Sequence, residues 1–508
     1  MSALQLVLRT VILLLPIGQF ASAQLSLPSY FSDHMVLQRD KPMRIQGKGK
    51  PGNPVKLSFG KMRMKGRVMA DSTWEITLPP QGASTVGRTL LVRSGDRKIS
   101  YQDILTGDVW VCIGQSNMEW PMSKEMHFRE DISQPLPPAV RIYNPSYAGK
   151  NTFGAAFSDS IRRSLTTEGF YRGKWQVCDS VSIRTMSAVA YHFGRTVNEK
   201  TGVPVGLMNL SIGGAPLESF INPAAMRDDA EFASKMRGDW LVNEALPEWI
   251  RERGRQNMGG QQGVSGDGNG SNHGFKPGFA YTCALNPMRT FEVKGILCYQ
   301  GESNAQEPQR VSEYGRLSAL MIRDLRKGWQ DSTLPFYFVQ LSSIDTVKYK
   351  GRLWPIFRDV QRQMESDIPF TGMAVCSDIG ARNDVHPTDK RTVGQRLARQ
   401  ALYRTYGSDI IPSGPLPAEA IHRNGKIIIR FKYATGGLFT ADGQALRGFM
   451  LNGTQDVPAR IAGETVEIDC DVKPETICYG WKSFSDGNLV NREKLPASTF
   501  RLEVRQGE

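Results

Sequence analysis

The residues Gly-Gln-Ser-Asn follow directly on a strand-like run in the stretch VWVCIGQSNMEW, residues 109–120. The run from Val109 to Ile113 is β-branched, aromatic and free of charge, which predicts a short, fully buried strand. Gly114 then allows a tight turn, and Ser116 comes at the point where such a turn exposes a hydroxyl at the end of a sheet. A nucleophile is one interpretation of Ser116, and a helix-cap or turn serine is the other.

Three more strand-like runs end in residues able to serve such a nucleophile. The candidates are Gly213 and Gly214 after 205–210, Gln300 and Glu302 after 295–299, and Asp378, Asn383, Asp384 and His386 after 371–376. The carboxyl ends of parallel strands meet at one edge of an open α/β sheet, which is where such sheets bind ligands. Each group alone is more often structural, but their joint placement predicts one site.

The residue types suit the transfer of an acyl group. A hydroxyl nucleophile needs a nearby base, and His386 is the histidine preceded by acidic and amide residues that can orient its ring. The oxyanion that develops needs hydrogen-bond donors. Backbone N–H groups at the Gly213–Gly214 turn and the side-chain amide of Gln300 can supply them. This chemistry requires no cofactor.

Strand and helix patterns alternate from about residue 106 to residue 410, which predicts a parallel, doubly wound sheet. The predicted strands are 109–113, 205–210, 295–299, 335–341 and 371–376, and the predicted helices are 187–202, 310–329 and 388–407. Short runs of alternating apolar and polar residues, separated by turn residues, predict a β-sandwich module at 24–105. The same pattern predicts a second β segment from 411 to the end. The Gly-rich segment 254–274 has few apolar residues and is predicted to be a long mobile loop.

Composition narrows the class of protein further. A chain of 508 residues predicts two or three domains. The formal net charge of +13 is scattered, without a basic block or a nucleic-acid motif, so nucleic acid is not a predicted partner. Its seven cysteines include no CxxC pair and no zinc spacing, so no metal is predicted. Cys112, Cys298 and Cys376 are expected to be buried thiols, whereas Cys470 and Cys478 are close enough to bridge a hairpin.

The first residues resemble a secretory signal. Residues 1–23 carry a single arginine, an apolar run from Val11 to Leu15, and the small-residue site Ala21-Ser22-Ala23. This pattern predicts a signal peptide that is cleaved before Gln24. A membrane anchor is the weaker alternative because the apolar run falls short of the roughly 20 residues that span a bilayer. The mature chain is therefore expected to be exported, periplasmic or extracellular, with no transmembrane segment.

The motifs GQSNM, IGGA, YQGESN and DVHP together resemble the SGNH-hydrolase superfamily. Within it they are similar to the sialate O-acetylesterase and carbohydrate acetylesterase branch, over essentially the whole mature chain. The resemblance implies a flavodoxin-like α/β core with a parallel sheet, flanked by N-terminal and C-terminal segments of β-sandwich type. The expected division is a signal peptide at 1–23, a β module at 24–105, the catalytic domain at 106–410 and a C-terminal β segment at 411–508.

The resemblance also implies roles for individual residues. Ser116 is the expected nucleophile and His386 the expected general base. The N–H groups of Ser116 and Gly214, with the side-chain amide of Gln300, are the expected oxyanion donors, and Gly213 opens the turn. No cofactor or metal is implied.

The residue that orients His386 stays open at this point. The superfamily usually has an aspartate three residues before the histidine, where this chain has Asn383. The available carboxylate is Asp384, two residues before His386, and a Ser–His dyad is the third possibility, with Asp384 capping a helix that starts near Thr388. Glu302 is expected either to brace the turn at Gln300 or to touch the sugar.

These features predict an exported serine esterase that removes O-acetyl groups from sugars, and O-acetylated sialic acid is the favoured substrate. An acetylesterase for a plant polysaccharide such as xylan or pectin is the alternative. A carbohydrate-binding protein with an inert hydrolase core is a third hypothesis, from another class. Acetylated carbohydrate is the one predicted partner, and the oligomeric state is left open.

Overall fold

The computed structural model describes residues 24–259, 265–345 and 351–507. The predicted signal peptide, residues 1–23, lies outside the described residues. Among the described residues, no helix is long and apolar enough to cross a membrane.

The N-terminal part is built of strands, as predicted for 24–105. Its strands are β1 (Val36–Gln38), β2 (Met43–Lys48), β3 (Pro54–Phe59), β4 (Met62–Arg67), β5 (Thr73–Leu78), β6 (Ser84–Ser94) and β7 (Arg97–Gly114). Strands β2 and β5 pair with each other, while β4, β3, β6 and β7 follow one another in antiparallel order. Buried and exposed residues alternate along β3 and β5, because one face of each strand covers the core.

Strand β7 is the element that joins the N-terminal part to the rest of the molecule. Its first half pairs with β6 and alternates between exposed and partly buried residues, whereas every residue from Ile104 to Gly114 is buried. The run 109–113 is thus the end of an 18-residue strand. The predicted domain boundary at 105/106 lies inside this continuous strand, and one apolar core extends across it.

The central part alternates strands and helices. The strands are β8 (Val140–Tyr143), β9 (Ser146–Tyr147), β10 (Tyr171–Arg172), β11 (Trp175–Val177), β12 (Val205–Asn209), β13 (Gly266–Asp267), β14 (Gly270–Ser271), β15 (Gly295–Tyr299), β16 (Phe336–Val339) and β17 (Thr371–Ala374). The helices are α1 (Ser116–Glu119), α2 (Phe128–Ser133), α3 (Asp159–Arg163), α4 (Ser182–Thr185), α5 (Ala188–Thr201), α6 (Pro223–Asp228), α7 (Glu248–Met258), α8 (Pro308–Trp329), α9 (Trp354–Asp367) and α10 (Lys390–Arg404). Short 3₁₀ turns lie at Met122–Lys124, Leu217–Phe220, Ala233–Met236, Pro287–Thr290, Gly351–Leu353 and Ser377–Ile379, with a π-helical turn at Tyr281–Leu285.

The central sheet has the order β11-β8-β12-β7-β15-β16-β17, and all its neighbours are parallel except the edge pair β11–β8. The α/β class with a parallel sheet is therefore confirmed. The predicted strands appear in it as β12-β7-β15-β16-β17, which is the order 2-1-3-4-5 of one common doubly wound sheet. The order reverses between β7 and β15, so residues that follow these two strands face the crevice in which such sheets bind ligands.

The C-terminal part returns to strands, as predicted from 411 onward. They are β18 (Leu416–Arg423), β19 (Lys426–Lys432), β20 (Leu438–Thr440), β21 (Phe449–Leu451), β22 (Gln455–Asp456), β23 (Arg460–Ala462), β24 (Thr465–Asp469), β25 (Thr476–Tyr479), β26 (Leu489–Asn491) and β27 (Phe500–Gln506). Eight of them form one sheet, and β20 pairs with β26. This part has its own apolar core. Arg358 of α9 attaches it to the central part by donating to the carbonyls of Gly480 and Lys482.

The prediction of a long mobile loop at 254–274 is wrong for its described residues. Helix α7 continues to Met258, and β13 and β14 form a small hairpin. The indole N–H of Trp240 donates to the carbonyl of Ser271 at 2.8 Å, and Lys276 donates to the carbonyl of Gly270 at 2.7 Å. Low apolar content misled the prediction because this segment is held by hydrogen bonds to buried partners. Residues 260–264 lie outside the described residues.

The cysteines are free thiols in the structure. Cys112, Cys298 and Cys376 are buried as predicted, and burial raises the pKa of Cys376 to about 12. Cys470 and Cys478 are not bonded to each other. The sulfur of Cys470 lies 3.0 Å from the carbonyl of Val472, and the sulfur of Cys478 accepts from Arg501.

Candidate active site

Ser116 lies at the first residue of α1, directly beyond the end of β7. The turn between them depends on Gly114, whose φ is +133°. A Cβ atom at that position would lie 2.1 Å from the carbonyl oxygen of Tyr299 on the neighbouring strand. Only glycine lets the two backbones approach so closely, and this approach places Ser116 at the switch between β7 and β15.

His386 is the residue that the fold brings to Ser116. It lies in the loop between β17 and α10, and its Nε2 is 2.8 Å from Oγ of Ser116. The imidazole stacks on Trp120, with ring centres 5.3 Å apart. Burial lowers the pKa of His386, and the positive charge of Lys390 acts in the same direction. A lowered pKa favours the neutral ring, which is the state able to accept a proton.

Asp384 approaches the other side of the same ring. Its Oδ1 lies 3.3 Å from Nδ1 of His386 and accepts the backbone N–H of His386 at 2.9 Å. Asn383 has a left-handed backbone, with φ of +58°, and this turn brings Asp384 back toward the histidine. Helix α10 is capped by Asp389, so the alternative in which Asp384 caps that helix is wrong.

Gly213 and Gly214 form the second wall of the site, after β12. Gly214 has φ of +75°, which a glycine adopts without strain. The N–H of Gly213 donates to the hydroxyl of Tyr147, which in turn donates to Glu119 at 3.1 Å. In the described part of the chain, no hydrogen bond uses the N–H of Ser116 or of Gly214. Both groups are thus unengaged donors among the described residues.

Gln300 is buried beneath the site rather than open at its surface. Its Nε2 donates to Oδ1 of Asn304 at 2.7 Å, and its Oε1 accepts from the hydroxyl of Tyr314 at 2.9 Å. The remaining contacts of Nε2, to Oε1 of Gln115 and the carbonyl of Ala215, are both long at 3.4 Å. One amide hydrogen is therefore held firmly by the protein, and the other is only weakly engaged.

Sequence reasoning missed the partners of Glu302. Its Oε1 accepts from the side-chain amide of Asn117, and its Oε2 is buried without a hydrogen-bond partner among the described residues. Asn117 also donates to the carbonyl of Val385 at 2.9 Å and accepts from Lys390 at 2.5 Å. Burial raises the pKa of Glu302 to about 7 and lowers that of Lys390 to about 7. Asn117 stands inside the motif GQSNM, but nothing in the sequence shows that it meets Lys390.

A small cavity of about 30 Å³ lies against Gly213. Aromatic and cationic side chains line it, among them Tyr147, Phe153, Phe275 and Arg253. A larger cavity of about 630 Å³ lies between the N-terminal strands and the central part and contains neither Ser116 nor His386.

Among the residues that the structure describes, two groups of side chains have the composition of a metal site. They are Glu125, His127 and Asp389, and Glu125, Asp131 and His192. Arg391 already pairs with Asp131 at 3.0 Å, and Glu125 accepts from the backbone N–H of Arg391. A guanidinium within the cluster opposes a second cation there. The expectation that the protein needs no metal stays a prediction.

Several known proteins are similar to this chain in sequence or in structure. The model of the carbohydrate esterase family described as sialic acid-specific acetylesterase matches residues 275–403. Sialate O-acetylesterase of Homo sapiens is 27% identical over 419 residues, which cover 77% of this chain and 73% of the human protein. The Mus musculus enzyme is 26% identical over 439 residues, which cover 79% and 78% respectively. The solved structure of a carbohydrate acetylesterase from Xanthomonas citri is 28% identical, with a TM-score of 0.77, covering 94% of this chain and 100% of that one.

The α/β sheet, the residues gathered at its edge and these similarities define an esterase, a hydrolase of ester bonds. Within that class, the predicted resemblance to the sialate O-acetylesterase and carbohydrate acetylesterase branch is confirmed.

Proposed function

We propose that the protein removes O-acetyl groups from sugars through a serine nucleophile. The observation that carries the proposal is the distance of 2.8 Å between Oγ of Ser116 and Nε2 of His386. This is hydrogen-bond distance between a nucleophile and its base, formed by residues 270 positions apart in the chain. The partly exposed hydroxyl of Ser116 stands at the open edge of the sheet, where a substrate can reach it.

In the first step, Ser116 Oγ attacks the acetyl carbonyl while His386 Nε2 takes the hydroxyl proton. The carbonyl electron pair moves onto oxygen and gives a tetrahedral oxyanion. When this intermediate collapses, the bond to the sugar oxygen breaks, and His386 returns its proton to that oxygen. The sugar alcohol leaves, and the acetyl group stays on Ser116.

The oxyanion needs donors where its charge develops. We assign this role to the N–H groups of Ser116 and Gly214, because neither has an acceptor in the described part of the chain. The weakly engaged amide hydrogen of Gln300 is the third donor. Gly213 supports the turn, since its own N–H is held by Tyr147.

In the second step, water attacks the acetyl-serine while His386 takes a proton from it. Collapse of the second tetrahedral intermediate returns that proton to Ser116 Oγ and releases acetate. Asp384 holds the histidine by its Nδ1 and stabilises the imidazolium that exists during both steps. The proposed triad is thus Ser116, His386 and Asp384, with Glu302 and Asn383 shaping the loops behind it.

The strand order 2-1-3-4-5 supports the assignment of the core to the flavodoxin-like SGNH hydrolases. The relatives named sialate O-acetylesterase favour O-acetylated sialic acid as the substrate. The relative from Xanthomonas citri is called a carbohydrate acetylesterase, which favours a wider class that includes acetylated polysaccharide. Export of the mature chain from Gln24 onward is part of the proposal and is supported by the pattern of residues 1–23.

Two assays test the proposal. The first is hydrolysis of 4-nitrophenyl acetate by the wild type and by Ser116→Ala. We expect the variant to keep its melting temperature and to lose at least about 10⁴-fold in kcat, since removing one member of a catalytic unit has that effect. His386→Ala should lose a comparable factor. A Ser116→Ala enzyme that kept more than a few per cent of kcat would contradict the assignment.

The second assay measures acetate released from O-acetylated sialic acids and from acetylated xylan and pectin. Preference for sialic acid supports the first substrate, and preference for polysaccharide supports the alternative. If the protein bound these sugars but hydrolysed neither them nor 4-nitrophenyl acetate, the carbohydrate-binding hypothesis would be favoured instead.

A further inference from the structure

The side chain of Asn117 makes three hydrogen bonds to three different parts of the chain. Its amide nitrogen donates to Glu302 and to the carbonyl of Val385, and its oxygen accepts from Lys390. Asn117 and Lys390 have no exposed surface, and Glu302 is only 5% exposed. The amide lies below the catalytic pair, out of reach of the substrate.

Each of these partners belongs to one loop of the site. Asn117 directly follows Ser116, and Val385 directly precedes His386. Glu302 lies two residues beyond Gln300, at the end of β15, and Lys390 begins α10. A single amide therefore joins the loops that carry the nucleophile, the base and the third oxyanion donor.

Lys390 is an unusual member of this cluster because burial lowers the pKa of its ammonium to about 7, although the charge of Glu302 opposes this shift. Within the described residues, no carboxylate oxygen lies within 4.0 Å of its Nζ. The ammonium lies 5.6 Å from the centre of the Trp120 ring and 5.4 Å from that of Tyr299. Trp120 is also the ring on which His386 stacks. Burial of an ammonium is costly, so its retention here indicates a role in the site.

We propose that Glu302 and Lys390 are positioning residues that act through Asn117 to fix the distance and orientation between Ser116 and His386. This inference rests on the function proposed above. Glu302 and Lys390 hold opposite ends of the same amide, so its plane is fixed, and that plane sets where the Val385 carbonyl and hence His386 can lie. Preorganisation of this kind matters because a misplacement of about 1 Å can cost about 10²-fold in rate.

Lys390 has a second effect on the base. Burial is the largest cause of the lowered pKa of His386; the charges of Lys390 and Lys124 lower it further, and Asp384 raises it. Removal of the Lys390 charge should therefore raise the pKa of His386. A residue that only stabilised the fold would leave that value unchanged.

The test uses the mature chain and 4-nitrophenyl acetate, with Glu302→Ala, Glu302→Gln and Lys390→Met. We expect Glu302→Ala and Lys390→Met to lower kcat by about 10-fold to 10²-fold with little change in KM, because the acetyl ester does not touch either residue. Glu302→Gln should keep kcat within a few-fold of the wild type, since its amide oxygen still accepts from Asn117. In Lys390→Met, the fall of kcat/KM at low pH, which is the acid limb of its pH profile, should move to higher pH.

Arg391→Met is the matched control. Arg391 is the next residue of α10 and pairs with Glu130 and Asp131 of α2, away from the catalytic pair. It should lower the melting temperature without moving the acid limb. The inference would be overturned if folded Lys390→Met had the kcat and the acid limb of the wild type. It would also be overturned if Glu302→Ala had the kcat of the wild type. If Lys390→Met does not fold, the contrast between Glu302→Ala and Glu302→Gln decides the question.

The failure of this inference is distinct from a failure of the proposed function. An active Ser116→Ala enzyme overturns the function itself. An inactive Ser116→Ala enzyme together with fully active Glu302→Ala and Lys390→Met variants overturns only the positioning role.

Discussion

The carboxylate of Asp384 lies 3.3 Å from Nδ1 of His386, which is two residues further along the chain. In an extended chain, residues two apart point to the same face but lie too far apart for a short contact. The left-handed turn at Asn383 and a bridge between Ala381 and Asp384 fold the loop back and close this gap. In the proposed triad, the carboxylate therefore comes from residue 384, whereas the resemblance to the SGNH hydrolases implies an aspartate at the position of Asn383.

Asp384→Asn tests this relationship. We expect kcat to fall by about 10²-fold to 10⁴-fold, because an amide cannot stabilise the imidazolium as a carboxylate does. Asn383→Gly is the matched control, since glycine adopts the positive φ freely and removes the competing side chain. It should retain most of the activity. An Asp384→Asn enzyme within a few-fold of wild type would leave a Ser–His dyad as the working unit.

Gln300→Ala separates catalysis from support of the fold. If the amide stabilises the oxyanion, kcat falls by about 10²-fold or more, or roughly 3 kcal/mol, while KM stays nearly constant. Asn304→Ala provides the comparison, because Asn304 accepts from Gln300 without facing the serine. A change in KM alone on Gln300→Ala would place the residue in substrate binding. Equal losses in the two variants would instead mean that the buried network matters and the third donor does not.

Much of the site could be predicted because its residues directly follow the ends of apolar strands. The glycines near Ser116 and at Gly213–Gly214 mark tight turns, and the shared edge of a parallel sheet brings such turns together. The contacts of Asn117 with Glu302 and Lys390 could not be predicted. They join residues that are distant in sequence, and their burial depends on packing that no local pattern encodes.

The fold shows the same limit in two places. The alternation of exposed residues in 97–103 and the apolar run 109–113 resemble two separate strands, yet both belong to β7, because the strand passes from a one-sided to a two-sided layer. The hairpin β13–β14 was hidden by its composition, since glycine-rich sequences with few apolar residues are typical of loops. In the structure, the hairpin is held by hydrogen bonds from Trp240 and Lys276.

The hairpin β13–β14 should contribute measurably to stability. Lys276 is only 2% exposed, and its ammonium donates to Asp267, to the carbonyl of Gly270 and to Asn272. Lys276→Met removes these three hydrogen bonds, at a cost of about 1–3 kcal/mol, since hydrogen bonds made by a charged donor are among the stronger ones. We expect a lower melting temperature by calorimetry, whereas Lys65→Met, at an exposed position, should leave it unchanged. Equal melting temperatures in both variants would mean that the segment behaves as the loop its composition suggests.

The last prediction concerns the pH dependence of the reaction. Burial lowers the pKa of His386 below its usual 6.5, Lys390 adds to that shift, and Asp384 opposes it. Because the neutral ring is the base, kcat/KM should be constant above this pKa and fall as the pH drops through it. The midpoint of the acid limb for 4-nitrophenyl acetate should therefore lie below pH 6.5. Asp384→Asn removes the opposing charge, so the acid limb of its residual activity should have its midpoint at a still lower pH. Lys390→Met should shift the midpoint in the opposite direction, to higher pH. A wild-type midpoint above 6.5, or a shift of both variants in the same direction, would mean that another group controls the acid limb.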